Sequence, residues 1–206
     1  MLRIWGRANS INVQKVLWCC AELDVAFERI DAGGKFGVSK TDAYRALNPN
    51  GLVPTIEDDG FVLWESNVIV RYLAARHSAG RLYPDDLRVR FDAERWMDWQ
   101  ATTLWPALRT VFIGLVRTPV AERDSSGIAS SLDAATRALT MLDRHLADRA
   151  FVAGDAFTIG DIPLGIAAYR WFSLPIDRPS LPGLVRWYNR LRERPGYQRH
   201  VMQPLS

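Results

Sequence analysis

Three short stretches carry side chains whose types and spacing suit the handling of a small extended peptide. Ser10 stands between a first strand pattern and a first helical pattern, with Asn12 two residues on. A hydroxyl there can donate to a thiolate, and the partial positive charge of a helix N-terminus lowers a nearby thiol's pKa. No catalytic His or Asp lies near Ser10 in the chain, so a serine-protease arrangement has little support. Ser10 also fits an ordinary helix cap, the common use of serine at such a place. Asn12 is then a second donor, or the cap itself. At Val53-Pro54 a cis bond would turn the Val53 N–H and C=O outward, towards a ligand backbone. The plain alternative is a proline that opens an edge strand. Glu65, Ser66 and Asn67 open a later helix. Ser66 and the free first-turn N–H groups suit a carboxylate, and Glu65 suits an ammonium. A free amino-acid end carries both groups, although capping and dipole preferences account for the same residues without any ligand.

The elements that must position these residues fall into two rhythms. Residues 2–5 read as a strand, and Val13, Val16, Leu17 and Cys20 recur at helical spacing to about residue 23. Residues 27–30 read as a second strand, which makes a βαβ unit with parallel strands. A Gly-rich loop over 32–40 and a short helix over 41–47 follow. Residues 55–57 and 61–64 flank Asp58-Asp59-Gly60, a hairpin signal. Ile69, Tyr72 and Leu73 then mark a helix ending before Gly80. The expected order is β-α-β-α-β-β-α over residues 1–78, with 79–86 as a linker and 87–206 as an all-α domain. In that second part a long helical stretch over 87–116 should bend near Pro106. Leu132, Ala135, Leu139, Leu142 and Leu146 step by three and four, as an amphipathic helix does. Residues 157–162 spell a capping box, with Thr158 as cap, Asp161 in place of Glu, and Phe157 and Ile162 as the staple. Pro182 opens a further helix to about residue 193. Most of the eight tryptophans belong to the core. Trp105 and Trp171, with Arg109 and Phe112, are the candidates for a pocket wall.

Composition narrows the function classes. The 206 residues can fill one large domain or two small ones. No apolar run reaches the roughly 20 residues of a membrane span, and Met1 to Gly6 shows no charged n-region followed by an apolar h-region, so no signal peptide is expected. A cytoplasmic protein without membrane partners is expected. The balance of 26 basic and 23 acidic residues leaves a net charge of only +3, with the basic residues scattered and almost all arginine. No nucleic-acid motif is present, and nucleic acid is not expected as a partner. His77, His145 and His200 have no metal spacing, so no metal is assigned. Cys19 and Cys20 are neighbours on a helix and point about 100° apart, which suits two buried apolar residues rather than a disulfide.

Taken together, the segments NSINVQKVLW (9–18), NPNGLVPTIEDDGFVLWESNVIVRYLA (48–74) and FTIGDI (157–162) resemble the cytosolic glutathione S-transferases. The likeness runs through nearly the whole chain and is strongest to the bacterial, theta-like branch that uses serine. It implies a thioredoxin-like N-terminal domain, a helical-bundle C-terminal domain and a homodimer. It implies Ser10 as the hydroxyl donor to the thiolate of glutathione, a co-substrate rather than a tightly bound cofactor. Val53 before Pro54 would pair with the cysteinyl backbone. Glu65 and Ser66, with Asn67 beside them, would hold the γ-glutamyl end, and Asp161 would serve folding. The chain departs from the pattern in two places. Asn12 stands where theta-like members often have proline, which makes it a second catalytic candidate. Leu52 stands where many members carry a cation, so the glycyl carboxylate would fall to Lys40, Lys35 or water. The expected reaction is conjugation of glutathione to a small apolar electrophile held by Trp105, Arg109, Phe112 and Trp171. Peroxidase, isomerase, dehalogenase or ring-opening chemistry on the same scaffold, and a non-catalytic binding protein, are the rival readings.

Overall fold

A computed structural model describes residues 1–206. The first 77 residues form the expected order: β1 (Leu2–Trp5), α1 (Ile11–Glu22), β2 (Phe27–Ile30), α2 (Asp42–Leu47), β3 (Thr55–Asp58), β4 (Phe61–Trp64) and α3 (Ser66–His77). The sheet order is β2-β1-β3-β4. β1 and β2 run parallel, as a βαβ crossover demands, and β3 pairs antiparallel with both β1 and β4. Asp58 belongs to β3 rather than to the turn. The hairpin therefore closes on two residues, Asp59 and Gly60, both at positive φ (49° and 87°). That is the backbone of the tight turn whose twist matches its strands.

Every later element is helical: α4 (Leu87–Trp99), α5 (Trp105–Val116), α6 (Ser125–His145), α7 (Asp161–Ser173), α8 (Pro182–Arg192) and α9 (Pro195–His200). The stretch expected to bend near Pro106 is interrupted over Gln100–Leu104 by a wider π turn. Pro106 has no N–H to give the preceding turn, and the register shifts ahead of it. α9 was not foreseen: six residues that open on a proline carry too little periodicity to read. The expected capping box is half formed. The Thr158 N–H donates to Asp161 Oδ2 at 2.9 Å, but the Asp161 N–H goes to the Thr158 carbonyl rather than its hydroxyl. The α-helix accordingly begins at Asp161.

α1 is covered on nearly every side. It packs on α3, α7 and α9, and Trp18, Cys19 and Cys20 are fully buried. Trp18 meets Tyr197 edge-on at 4.7 Å between centroids and donates its indole N–H to Glu22. Glu22 also takes two hydrogen bonds from Arg194, so α1 is tied directly to the helical part. Both cysteines are free, and burial raises both thiols, Cys20 to about 12. They behave as the small apolar residues that their spacing suggested.

Candidate active site

Two adjoining cavities meet at the N-terminus of α1. The larger, of about 530 Å³, gathers Ser10, Asn12, Lys40, Leu52, Val53, Pro54, Glu65 and Ser66 of the residues singled out from sequence. The smaller, of about 90 Å³, gathers Ser10, Trp105, Arg109 and Phe112. Ser10 lines both. A wider groove of about 710 Å³ against Phe27 and Pro195 shares no residue with either.

Ser10 occupies the N-cap position with extended backbone (φ −76°, ψ 128°), yet its hydroxyl makes no capping hydrogen bond. Its carbonyl accepts from the Gln14 N–H at 2.9 Å. The side chain, 7% exposed, is left free to donate into the cavities. Asn12 lies one residue into the helix, half-buried, and lines the larger cavity alone.

The Val53–Pro54 peptide is cis, and the Val53 N–H and C=O find no partner within the chain. The loop is fixed from below. Leu52 points its side chain to solvent, while its carbonyl accepts from the Tyr44 hydroxyl at 2.6 Å and the Asn48 amide at 3.0 Å. Those two side chains also hold the Thr55 hydroxyl. Tyr44, Asn48 and Thr55 thus position Val53. The sequence reading missed them, although Asn48 heads the Asn-Pro-Asn-Gly turn that it used as a boundary. Across the cavity Gly33 sits at φ +79°, where an added Cβ would meet Val53 at 3.2 Å.

Glu65, immediately before α3, adopts φ 71°, ψ 107°. A non-glycine residue there is strained, and such strain concentrates at ligand sites. The turn leaves Glu65 exposed and Ser66 buried at the head of the helix. Beneath Ser66 lies Lys15, fully enclosed, with Nζ 3.4 Å from Ser66 Oγ. Burial pulls Lys15 down to about 7, while the Glu65 carboxylate acts the other way. Lys15 was missed as well. Its signal was a single lysine among the apolar residues of α1.

Two expected residues lie elsewhere. Asn67 is one step round α3 from Ser66 and faces α4, where its amide donates to the Met97 carbonyl at 2.9 Å. It ties the two parts of the chain together and lines neither cavity. Trp171 is fully buried in the helical core. Its neighbour Arg170, about 100° round α7, reaches the smaller cavity instead. Lys40 borders the larger cavity, whereas Lys35 turns away and lies over the Phe36 ring at 5.2 Å.

The glutathione S-transferase N-terminal domain family matches residues 9–76, and the C-terminal domain family matches residues 102–195. The chain belongs to the glutathione S-transferase family. Glutathione S-transferase GstB of Escherichia coli K12 is 44% identical over 208 residues, covering both chains completely. Glutathione S-transferase D7 of Drosophila melanogaster is 31% identical over 75% of this chain and 68% of its own. Among solved structures, the theta class glutathione S-transferase of Xanthomonas axonopodis pv. citri, with glutathione bound, superposes at a TM-score of 0.96. It is 52% identical and covers 100% of this chain and 99% of its own. The fold and the transferase activity expected from the sequence therefore stand. No helix of this transferase is long and apolar enough to cross a membrane.

Proposed function

We propose that this transferase binds glutathione in the larger cavity and joins the glutathione sulfur to a small electrophile in the smaller one. The observation that carries this reading is Ser10, whose unbonded hydroxyl stands where the two cavities meet. The γ-glutamyl carboxylate takes Ser66 and the first-turn N–H groups of α3, with Lys15 beneath, and its ammonium takes Glu65. The cysteinyl backbone pairs with the free Val53 N–H and C=O. The glycyl carboxylate takes Lys40, the lysine of the three cations, Arg7, Lys40 and Arg109, that line this cavity.

The sulfur then lies over the N-terminus of α1. The Ser10 hydroxyl donates to the thiolate, and the helix dipole favours the same anion. The thiol proton leaves to solvent, the sulfur attacks carbon, and the leaving group departs with its bonding electrons. Each pKa unit by which the thiol is lowered stabilises the thiolate by about 1.4 kcal/mol. Holding sulfur and carbon in line can contribute several kcal/mol more. The apolar part of the electrophile packs on Trp105, Phe112 and Ile113. The resemblance supports a cytoplasmic homodimer, with a thioredoxin-like domain over 1–78, a linker over 79–86 and a helical domain over 87–206. The segment between α3 and α4 carries no helix or strand.

Ser66→Ala tests the glutathione site. Loss of a hydrogen bond to a charged group should weaken glutathione binding by roughly 1.5–3 kcal/mol. Unchanged affinity by calorimetry, with an intact fold, removes Ser66 from the site.

A further inference from the structure

We infer that the electrophile carries a carboxylate, seated by four arginines at the floor of the smaller cavity. This rests on the reading of the larger cavity as the glutathione site, and it names the substrate class. Arg7, Arg109, Arg117 and Arg170 all line a space of about 90 Å³, and no Asp or Glu lines it with them; Arg7 and Arg109 border the larger cavity as well, whereas Arg117 and Arg170 face the smaller one alone. None of the four pairs with an Asp or Glu side chain. Arg7 donates to Asn9 Oδ1, Arg170 to Gln14 Oε1 and the Asn9 carbonyl, and Arg117 at 2.7 Å to an oxygen of the terminal residue, Ser206.

Like charges gathered in this way repel one another, and Arg170, the one enclosed among them, also gives up hydration without a carboxylate to offset it. Arg170 is only 3% exposed, and its Nε–H is buried with no acceptor. Burial first, and then Arg117, lower it to about 9, so it stays charged at neutral pH. The Arg117 and Arg170 guanidinium carbons each lie close to the Phe112 ring, at 5.1 and 5.2 Å from its centroid, and that ring lines the cavity with them. A planar carboxylate fits such a set well, because guanidinium groups bind it through paired N–H donors. Ser10 lines both cavities, so an acid seated on the arginines offers its reactive carbon to the sulfur. The new bond is sulfur to carbon, the leaving group departs with its electron pair, and the carboxylate stays ionised throughout.

Iodoacetate and iodoacetamide differ in charge and little else, which makes them the matched probes. The protein's own thiols do not compete, being buried with raised pKa values. With glutathione saturating, the kcat/KM ratio of acid to amide should exceed the ratio of their uncatalysed rates by about tenfold or more. Arg117→Gln and Arg109→Gln, both at exposed positions, should each lower that ratio about tenfold, and Arg117→Lys should restore part of it. In the wild-type protein, acetate should inhibit competitively with the electrophile and acetamide should not. If the arginines only stabilise the thiolate, both probes slow equally in the variants, the ratio holds, and the proposal is wrong. Equal treatment of acid and amide by the wild-type protein overturns it as well. Absence of glutathione binding by calorimetry, with no conjugation of either probe, brings down the glutathione-site reading and this one with it.

Discussion

At the scale of single residues, the site depends on polar groups that the fold leaves without partners. Ser10 would be spent as a cap in most helices, but here its hydroxyl is free. Removing it should let the bound thiol's pKa rise towards the free value near 8.5, so Ser10→Ala should lose more turnover at neutral than at high pH. Glutathione affinity should change little. If the pH–rate profile moves in Asn12→Ala and not in Ser10→Ala, the donor is Asn12. Lys15 leads to a different kind of test. Its folded pKa is depressed from 10.5 to about 7, so above pH 7 the folded chain releases a proton that the unfolded chain keeps. Stability should therefore rise with pH between about 7 and 10.5, and the penalty is fully present below 7. Lys15→Met should flatten that rise and raise the melting temperature of the unliganded protein near neutral pH, because an apolar chain of similar length fits a buried site without desolvation. The same change should weaken glutathione binding, since the cation under Ser66 is lost. A variant that melts as the wild type does at every pH, with the same glutathione affinity, leaves Lys15 no role.

At the scale of elements, α7 shows how a local signal becomes a tertiary one. The 157–162 segment announces a helix start, and Asp161 does serve the chain near it. Its other oxygen, however, accepts from the Val152 N–H at 3.0 Å and the Trp187 indole at 2.8 Å, both outside the helix. Asp161 is thus a buried junction of α7, α8 and the loop at Val152. Burial raises its pKa to about 6 against the pull of those hydrogen bonds. A lost cap alone costs about 0.5–2 kcal/mol. Asp161→Ala also strands buried N–H groups, so the loss should reach about 3 kcal/mol or more. Chemical denaturation reads this directly. A variant that unfolds at the wild-type midpoint but has lost activity would mean that Asp161 acts in the chemistry.

At the scale of the whole molecule, several large apolar side chains stay uncovered. Phe61, Trp64 and Val68 are exposed at β4 and the start of α3, and Leu87 and Phe91 at the start of α4. Exposed apolar surface of this kind marks association sites, and a closed two-fold pairing is the commonest solution. In the proposed homodimer the N-terminal part of one subunit meets the helical part of the other. Light scattering at micromolar concentration should give twice the 23.3 kDa chain mass. Phe91→Glu should shift the protein towards the single chain while leaving its fold intact. A wild-type protein that scatters as a single chain contradicts the dimer.

The sequence by itself determined the element order of the first 77 residues, the hairpin at Asp58-Asp59-Gly60 to within one residue, the buried cysteines and most of the residues singled out that line the two cavities. Periodicity, capping chemistry and turn residues act within a few positions of one another, and such signals survive in one dimension. Tertiary structure decided which residues share a cavity. Asn67 and Trp171 each lie about 100° round a helix from the residue that faces the site, an angle set by packing against α4 and the helical core. Lys15 came to lie under Ser66 because α3 closes over it. The arginines, scattered from position 7 to position 170, became a cluster because α5 and α7 meet the end of β1 at the start of α1. Proximity of that kind arises from how the helices fold together across long sequence separations, so no local pattern in the chain records it.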